Sequence, residues 1–252
     1  MFNEEKVAAS CVDSVIKEIL KLKNYTRLLI VNDGSLDKTP NILRLKQKQY
    51  KKYLIVLTHK KNIGYGTSLQ TGISYALKED FEFYLTMDSD LTNPPIYIHD
   101  FVKTMSPDID CVKASRYISG AKVVDVSYFR KLISTVGNYI ASILFNVGIK
   151  DCTNGFKMVR LKLLQGIKFK ENSFSIILEE MYYLKKRHAR FMEIPNILYA
   201  RTNSSSHFRY ETKTFYDYFK YVIKAALVWI MLVIQKNRRK WYKQKNNSKK
   251  KN

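Results

Sequence analysis

Two aspartates two residues apart, Asp88 and Asp90, follow the apolar run Phe83–Met87 and precede the pair Pro94-Pro95. Carboxylates so spaced at the mouth of a strand can share one divalent cation, Mg²⁺ or Mn²⁺, which neutralises a diphosphate leaving group. A second pair, Asp108 and Asp110, lies in a Ser-Pro loop ahead of a strand and reads as a solvated turn. Asp33 and Arg116 also stand at the ends of strand-like segments. The four histidines, His59, His99, His188 and His207, lack the paired spacing of a zinc site. Three widely separated cysteines argue against a disulfide framework and for a reducing compartment.

The elements that position these residues follow from periodicity. Asn3, with Glu4 and Glu5 after it, reads as the N-cap of a helix whose apolar positions are Val7, Ala8, Cys11, Val12, Val15, Ile16, Ile19 and Leu20. Leu28–Val31 is a strand that ends in Asn32-Asp33-Gly34-Ser35, and a helix runs from there to about Tyr50. Strand Leu54–Leu57, the loop Gly64-Tyr65-Gly66 and a helix to about Lys78 follow. Phe83–Met87 and Asp110–Ser115 are strands, and Pro94-Pro95 opens a helix between them. A long helical stretch from Ser127 to Gly148 carries Arg130, Ser134 and Asn138 as one polar stripe, and another helix covers Ile176–Lys186. Strands alternating with helices of about a dozen residues imply an α/β fold with a mainly parallel sheet, whose strand carboxyl ends hold the ligand.

The segments Val31–Thr39, Asn62–Gly66 and Asp88–Asp90 resemble those of family 2 glycosyltransferases of GT-A (Rossmann-like) fold. The resemblance narrows to the dolichyl-phosphate mannosyltransferase branch, which includes polyprenyl-phosphate glycosyltransferases. It rests on Ser115-Arg116-Tyr117 with Gly120, on Arg130, Ser134 and Asn138, on Asp151, Thr153 and Gly155-Phe156, and on Glu179 and Glu193-Ile194-Pro195 ahead of Arg201. It implies that Phe2, Glu4, Val31 and Asp33 hold the base and ribose of a nucleotide-diphosphate sugar. Asp88, Ser89 and Asp90 would bind donor and metal, and Arg116, Arg201 and His207 would grip phosphates or sugar. Arg130 and Ser134 would face the acceptor phosphate, with Asp88, Asp90 and Arg116 as the catalytic set. Asn32, Thr92 and His207 depart from the family's usual Asp, Gln and Lys. Members also carry a strand before the position of Phe2-Asn3-Glu4, so the sequence as it stands reads as a GT-A fold without its first strand, a truncated or fragmentary member.

The implied reaction moves a hexose, mannose or glucose, onto dolichyl or polyprenyl phosphate with inversion. Such a phosphate is already anionic near neutral pH, its second pKa being about 6, and needs no general base. A sugar-hydroxyl acceptor on a glycan would need one, and Glu179 or Glu180 is the candidate. An inactive family member is the other alternative.

The chain holds 44 Lys+Arg against 22 Asp+Glu in 252 residues, a net charge of +22, so an anionic partner is expected. Nine of the basic residues and no acid fall in 236–252. The acidic motif set argues against nucleic acid and leaves an anionic membrane surface. Within Phe215–Ile234 only Ala225–Ile234 is uninterruptedly apolar, too short to span a bilayer, and Lys220 and Lys224 interrupt the rest, so the segment reads as an interfacial amphipathic helix. The expected organisation is a catalytic domain over 1–210, that helix over 211–235 and a basic disordered tail over 236–252, at the cytoplasmic face of a membrane.

Overall fold

Helix α1, Ala8–Ile19, buries Ala8, Cys11, Val12, Val15, Ile16 and Ile19, a stripe three and four residues apart that lays one face on the core. The structure, a computed structural model, describes residues 1–126, 128–199, 216, 217, 219–228, 230 and 234. The helix begins later than expected. Asn3 does not cap it: its φ is +52°, and its Oδ1 accepts from Leu36 N, which ties it to the turn after the first strand. Glu4 instead closes a turn, its carbonyl accepting from Val7 N and Ala8 N.

Strand β1 (Leu28–Asn32) pairs in parallel with β2 (Leu54–Thr58), and α2 (Thr39–Gln49) connects them. Ile30, Leu43 and Leu54 pack with Val12, Val15 and Ile16 of α1 into one core. Along its other edge, among the described residues, the end of β1 is bonded by Met1, which donates to Val31 O and accepts from Asp33 N. Helix α3 (Tyr65–Lys78) leads to β3 (Phe83–Thr86), and α4 (Ile98–Thr104) to β4 (Cys111–Ser115). A short strand β5 (Lys122–Val123) precedes α5 (Tyr128–Phe145). Then come β6 (Lys157–Arg160), α6 (Ile176–Lys186), β7 (Phe191–Pro195) and β8 (Ile197–Leu198).

The larger sheet has the order β3-β6-β4-β7. β4 and β7 are parallel, but β6, which periodicity did not reveal, runs antiparallel between β3 and β4. All five residues of β4 are buried, as expected of a central strand covered on both faces. The helical residues 219–228 dock on α5 and α6 through Tyr221, Val222 and Ala225, which share a core with Phe145, Leu178 and Met181. That helix is therefore part of the domain's packing on one face, while Phe219, Ile223 and Leu227 are exposed on the other. No helix among the described residues is long and apolar enough to cross a membrane.

Asp108 is an exposed turn residue, its side chain 91% exposed, but Asp110 corrects the sequence reading. Asp110 is 6% exposed and is no solvated turn residue. Its carboxylate accepts from Arg190 N, Nε and Nη2, and Arg160 Nε lies 3.5 Å away. The Arg190 hydrogen bonds outweigh burial and hold the Asp110 carboxyl below its ordinary range. Asp110→Asn should therefore lower the melting temperature, by about 3–5 °C for a loss of roughly 1–2 kcal/mol in a chain of this size. Turnover per folded molecule should stay near wild type, and a thermal melt beside an activity assay checks both.

Candidate active site

Three strand ends and one helix face supply the site. Asp33, just past β1 and buried, organises the loop that leads into α3: Ile63 N donates to its Oδ1 (3.1 Å) and Gly64 N to its Oδ2 (2.9 Å). His59 Nδ1 lies 2.7 Å from the same Oδ1, and its Nε2 is 3.0 Å from Thr71 Oγ1 on α3. Burial pushes the Met1 ammonium down, while the charges of Asp33, Glu4 and Asp88 pull it the other way. Burial also pushes the Cys11 thiol up to about 12, and Asp90 and Glu4 add to the shift.

Asp88 and Asp90 stand just beyond β3, both half-buried. Thr92 holds Asp90 in a tight turn, its N (3.0 Å) and Oγ1 (2.7 Å) donating to Asp90 Oδ1. Between them Leu91 has φ +61°, a left-handed conformation that costs an L-residue roughly 1–2 kcal/mol. Bonds from the far end of the chain hold that turn: Tyr199 N donates to Thr92 O, and Asn196 Nδ2 to Asn93 Oδ1. Strain kept in place by distant partners is typical of functional sites.

Arg116, after β4, is the hub of a second cluster. Its Nε (2.7 Å) and Nη2 (2.9 Å) donate to the two oxygens of Asp151, Nη2 also reaches Thr153 Oγ1 (2.9 Å), and Nη1 is 3.4 Å from Ser134 Oγ. Ser134 and Asn138 do share the inner face of α5. Ser134 Oγ lies 2.9 Å from Tyr117 OH, and Asn138 Nδ2 donates to Thr153 Oγ1 (2.7 Å). Asp151 is fully buried. Burial alone would raise its pKa, but the charge and hydrogen bonds of Arg116 outweigh that and hold it low. Glu193 fixes the same loop by accepting from Lys150 N and Asp151 N, and Lys113 Nζ donates to Asn154 O.

The sequence marked Asp151 and Tyr117 only as motif positions, and their contacts define the cluster. With Asp151 as counter-charge, Arg116 contributes direction more than net charge. Arg201 and His207 lie outside the described residues, and of Arg130 only the helical backbone is described. Phe2 and Val31 flank the Met1 bridge at the end of β1, and Ser89 lies between the two aspartates.

Asp88 and Asp90 are the two carboxylates that the sequence offers to a divalent cation. Among the described residues no group of three or more His, Cys, Asp or Glu could hold one unaided. Two carboxylates that share an ion with substrate phosphates need no such group.

Residues 1–167 match the model of the family described as glycosyl transferase family 2. The dolichol-phosphate mannosyltransferase of Pyrococcus furiosus is 27% identical over 214 residues, covering 84% of this chain and 58% of that one. A polyprenol monophosphomannose synthase of Mycolicibacterium smegmatis is 25% identical over 140 residues, 56% of this chain and 53% of its own. The chain thus spans little more than half the length of these two relatives. Among solved structures, glucosyl-3-phosphoglycerate synthase from Mycobacterium tuberculosis, in complex with Mn²⁺, UDP and glucosyl-3-phosphoglycerate, superposes with a TM-score of 0.59 at 16% identity. That match covers 90% of this chain and 76% of the other. The same enzyme with Mg²⁺ and UDP gives 0.59 at 14% identity, with the same coverages. Identities this low speak for the fold, and the fold is the α/β GT-A arrangement expected from the sequence.

Proposed function

This chain belongs to glycosyl transferase family 2, and from that membership we propose that it transfers a hexose, mannose or glucose, from a nucleotide-diphosphate sugar to a polyprenyl or dolichyl phosphate. The phosphate oxygen attacks the anomeric carbon, the bond from that carbon to the diphosphate breaks, and the configuration inverts. Asp88 and Asp90 would hold Mg²⁺ or Mn²⁺, which supplies positive charge to the departing diphosphate when bound. Glu4 and Asp33, with Phe2 and Val31, line the donor side. Ser134 and the α5 position Arg130 form the acceptor side, and Arg116, Arg201 and His207 are the candidates to grip the phosphates or sugar.

The observation that carries this reading over a hydroxyl acceptor is the engagement of both candidate bases. Glu179 is fully buried and accepts from Lys170 N and Glu171 N. Glu180 is fully buried as well, 2.8 Å from Lys157 Nζ and bonded by Tyr84 OH. Neither has the access to an acceptor that proton removal requires. A phosphate acceptor needs no such group.

A membrane surface suits the outer faces of two helices. Leu132, Val136, Tyr139 and Ile143 are exposed along α5, as are Phe219, Ile223 and Leu227 on the helix packed against it. No Asp or Glu occurs between Asp125 and Asp151, so α5 offers anionic lipid no repulsion. One experiment tests acceptor and membrane together. The chain is incubated with Mn²⁺, labelled GDP-mannose or UDP-glucose, and anionic liposomes carrying polyprenyl phosphate. Label should enter the chloroform phase, and the chain should float with the lipid at low salt and detach as salt rises. Label confined to the aqueous phase would reject the lipid acceptor, and a chain that stays at the bottom of the gradient would reject the membrane surface.

A further inference from the structure

Residues 170–175 run from the core below α3 to the start of α6, and their contacts reach three separate parts of the molecule. Toward the carboxyl-terminal helix, Glu171 Oε1 accepts from Lys220 Nζ (2.6 Å) and Tyr221 OH (2.9 Å), while its Oε2 accepts from Ser175 Oγ (2.8 Å). Toward the donor side, Gly66 N donates to Asn172 O (2.8 Å) and Gln70 Nε2 to Glu171 O (2.9 Å). From below, Glu179 accepts from the backbone N of Lys170 and Glu171.

The fit on the donor side leaves no slack. A Cβ on Gly64 would lie 2.3 Å from Asn172 O, and one on Gly66 would lie 2.4 Å from Glu171 O. The two backbones therefore touch directly, and a shift of the 170–175 segment moves the glycine loop. That loop is bonded to Asp33 through Ile63 N and Gly64 N. Phe174 stacks on Tyr65 at 4.6 Å between ring centroids, and the Tyr65 hydroxyl lies against Gly155, four residues past Asp151. Burial alone would raise the Glu171 pKa, but the hydrogen bonds from Lys220, Ser175 and Tyr221 outweigh it, so the group stays ionised at neutral pH.

We propose that residues 170–175 are a strap that couples the carboxyl-terminal helix to the donor pocket, with Glu171 as its positioning residue. This inference rests on the reading of Asp33 and the glycine loop as donor-binding. Glu171 touches no substrate. It sets where Asn172 holds Gly66, and so the geometry of Asp33, according to where Lys220 and Tyr221 lie. The consequence is that the position of the helix tunes affinity for the nucleotide sugar. Contiguous contacts alone do not demonstrate coupling, so the test must measure an interaction between distant residues.

The full chain is assayed with GDP-mannose and with UDP-glucose, each with Mn²⁺, as wild type, Glu171→Gln, Tyr221→Phe and the double variant. Both substitutions preserve shape, and Tyr221→Phe keeps its ring in the core, so it carries the test if Glu171→Gln folds poorly. For whichever donor the wild type uses, Glu171→Gln should raise KM about tenfold, the size of one lost charge-assisted hydrogen bond, with kcat changed less than about twofold. Tyr221→Phe should raise it in the same direction, and the double variant should be no worse than the more affected single. A donor KM unchanged in both singles, or effects that multiply in the double variant, would overturn the strap. A wild type that binds neither donor would instead sink the transfer reading on which it rests.

Discussion

Asp90→Asn should reduce sugar transfer by about three orders of magnitude, with the melting temperature held. A metal ligand lost from a diphosphate site removes several kcal/mol of transition-state stabilisation, and each 1.36 kcal/mol is a factor of about ten. The fold should survive because the asparagine oxygen can still accept from Thr92 N and Thr92 Oγ1, the two bonds that shape the turn around Leu91. Only the charge is lost. Transfer rates in saturating Mn²⁺ beside a thermal melt make the measurement, and near wild-type turnover would remove the cation from Asp88 and Asp90. Asp110→Asn, with its stability cost and intact turnover, is the opposite pattern from the other Asp-x-Asp pair.

Asp151→Asn should be the most destabilising conservative change in the site. It leaves the Arg116 guanidinium, whose side chain is 16% exposed, without the carboxylate that takes Nε and Nη2. It also weakens the bonds that Arg116 N and Asn154 N make to the same group. Removing one partner of a buried pair costs about 3–5 kcal/mol. The sign of the pH effect follows from the depressed pKa of Asp151. Its contribution is fully present above the unfolded carboxyl value of about 3.9 and is lost as pH falls from there through the lower folded value. Denaturant melts should therefore show wild type and variant far apart at pH 7 and converging as the pH falls below 4. A constant gap across that range would mean that the ion pair is not the source of the stability.

The strand-end half of the candidate site could be read from the chain because its residues are local to strand ends. Asp33, Asp88 and Arg116 each stand at the end of a strand-like segment, and in an α/β sheet that position is the ligand-binding edge. The stripe of Ser134 and Asn138 was legible for a similar reason, since helical spacing puts both on one face. Asn3 misled because a polar residue ahead of acids satisfies the cap pattern, while its side chain is spent on Leu36, 33 residues away.

Composition, period and motif order thus determined the α/β class, the family resemblance and the strand-end aspartates, since each depends only on residues near in sequence. Tertiary structure alone decided which charges are neutralised. Arg116 meets Asp151 across 35 positions, Asp110 meets Arg190 across 80, and Glu171 meets Lys220 across 49. It also decided that β6 returns antiparallel between β3 and β4, which brings Lys157 to Glu180 and withdraws that glutamate from acid–base work. An ion pair or a strand register is set by the packing of whole elements, and no local pattern encodes which distant partner that packing will deliver.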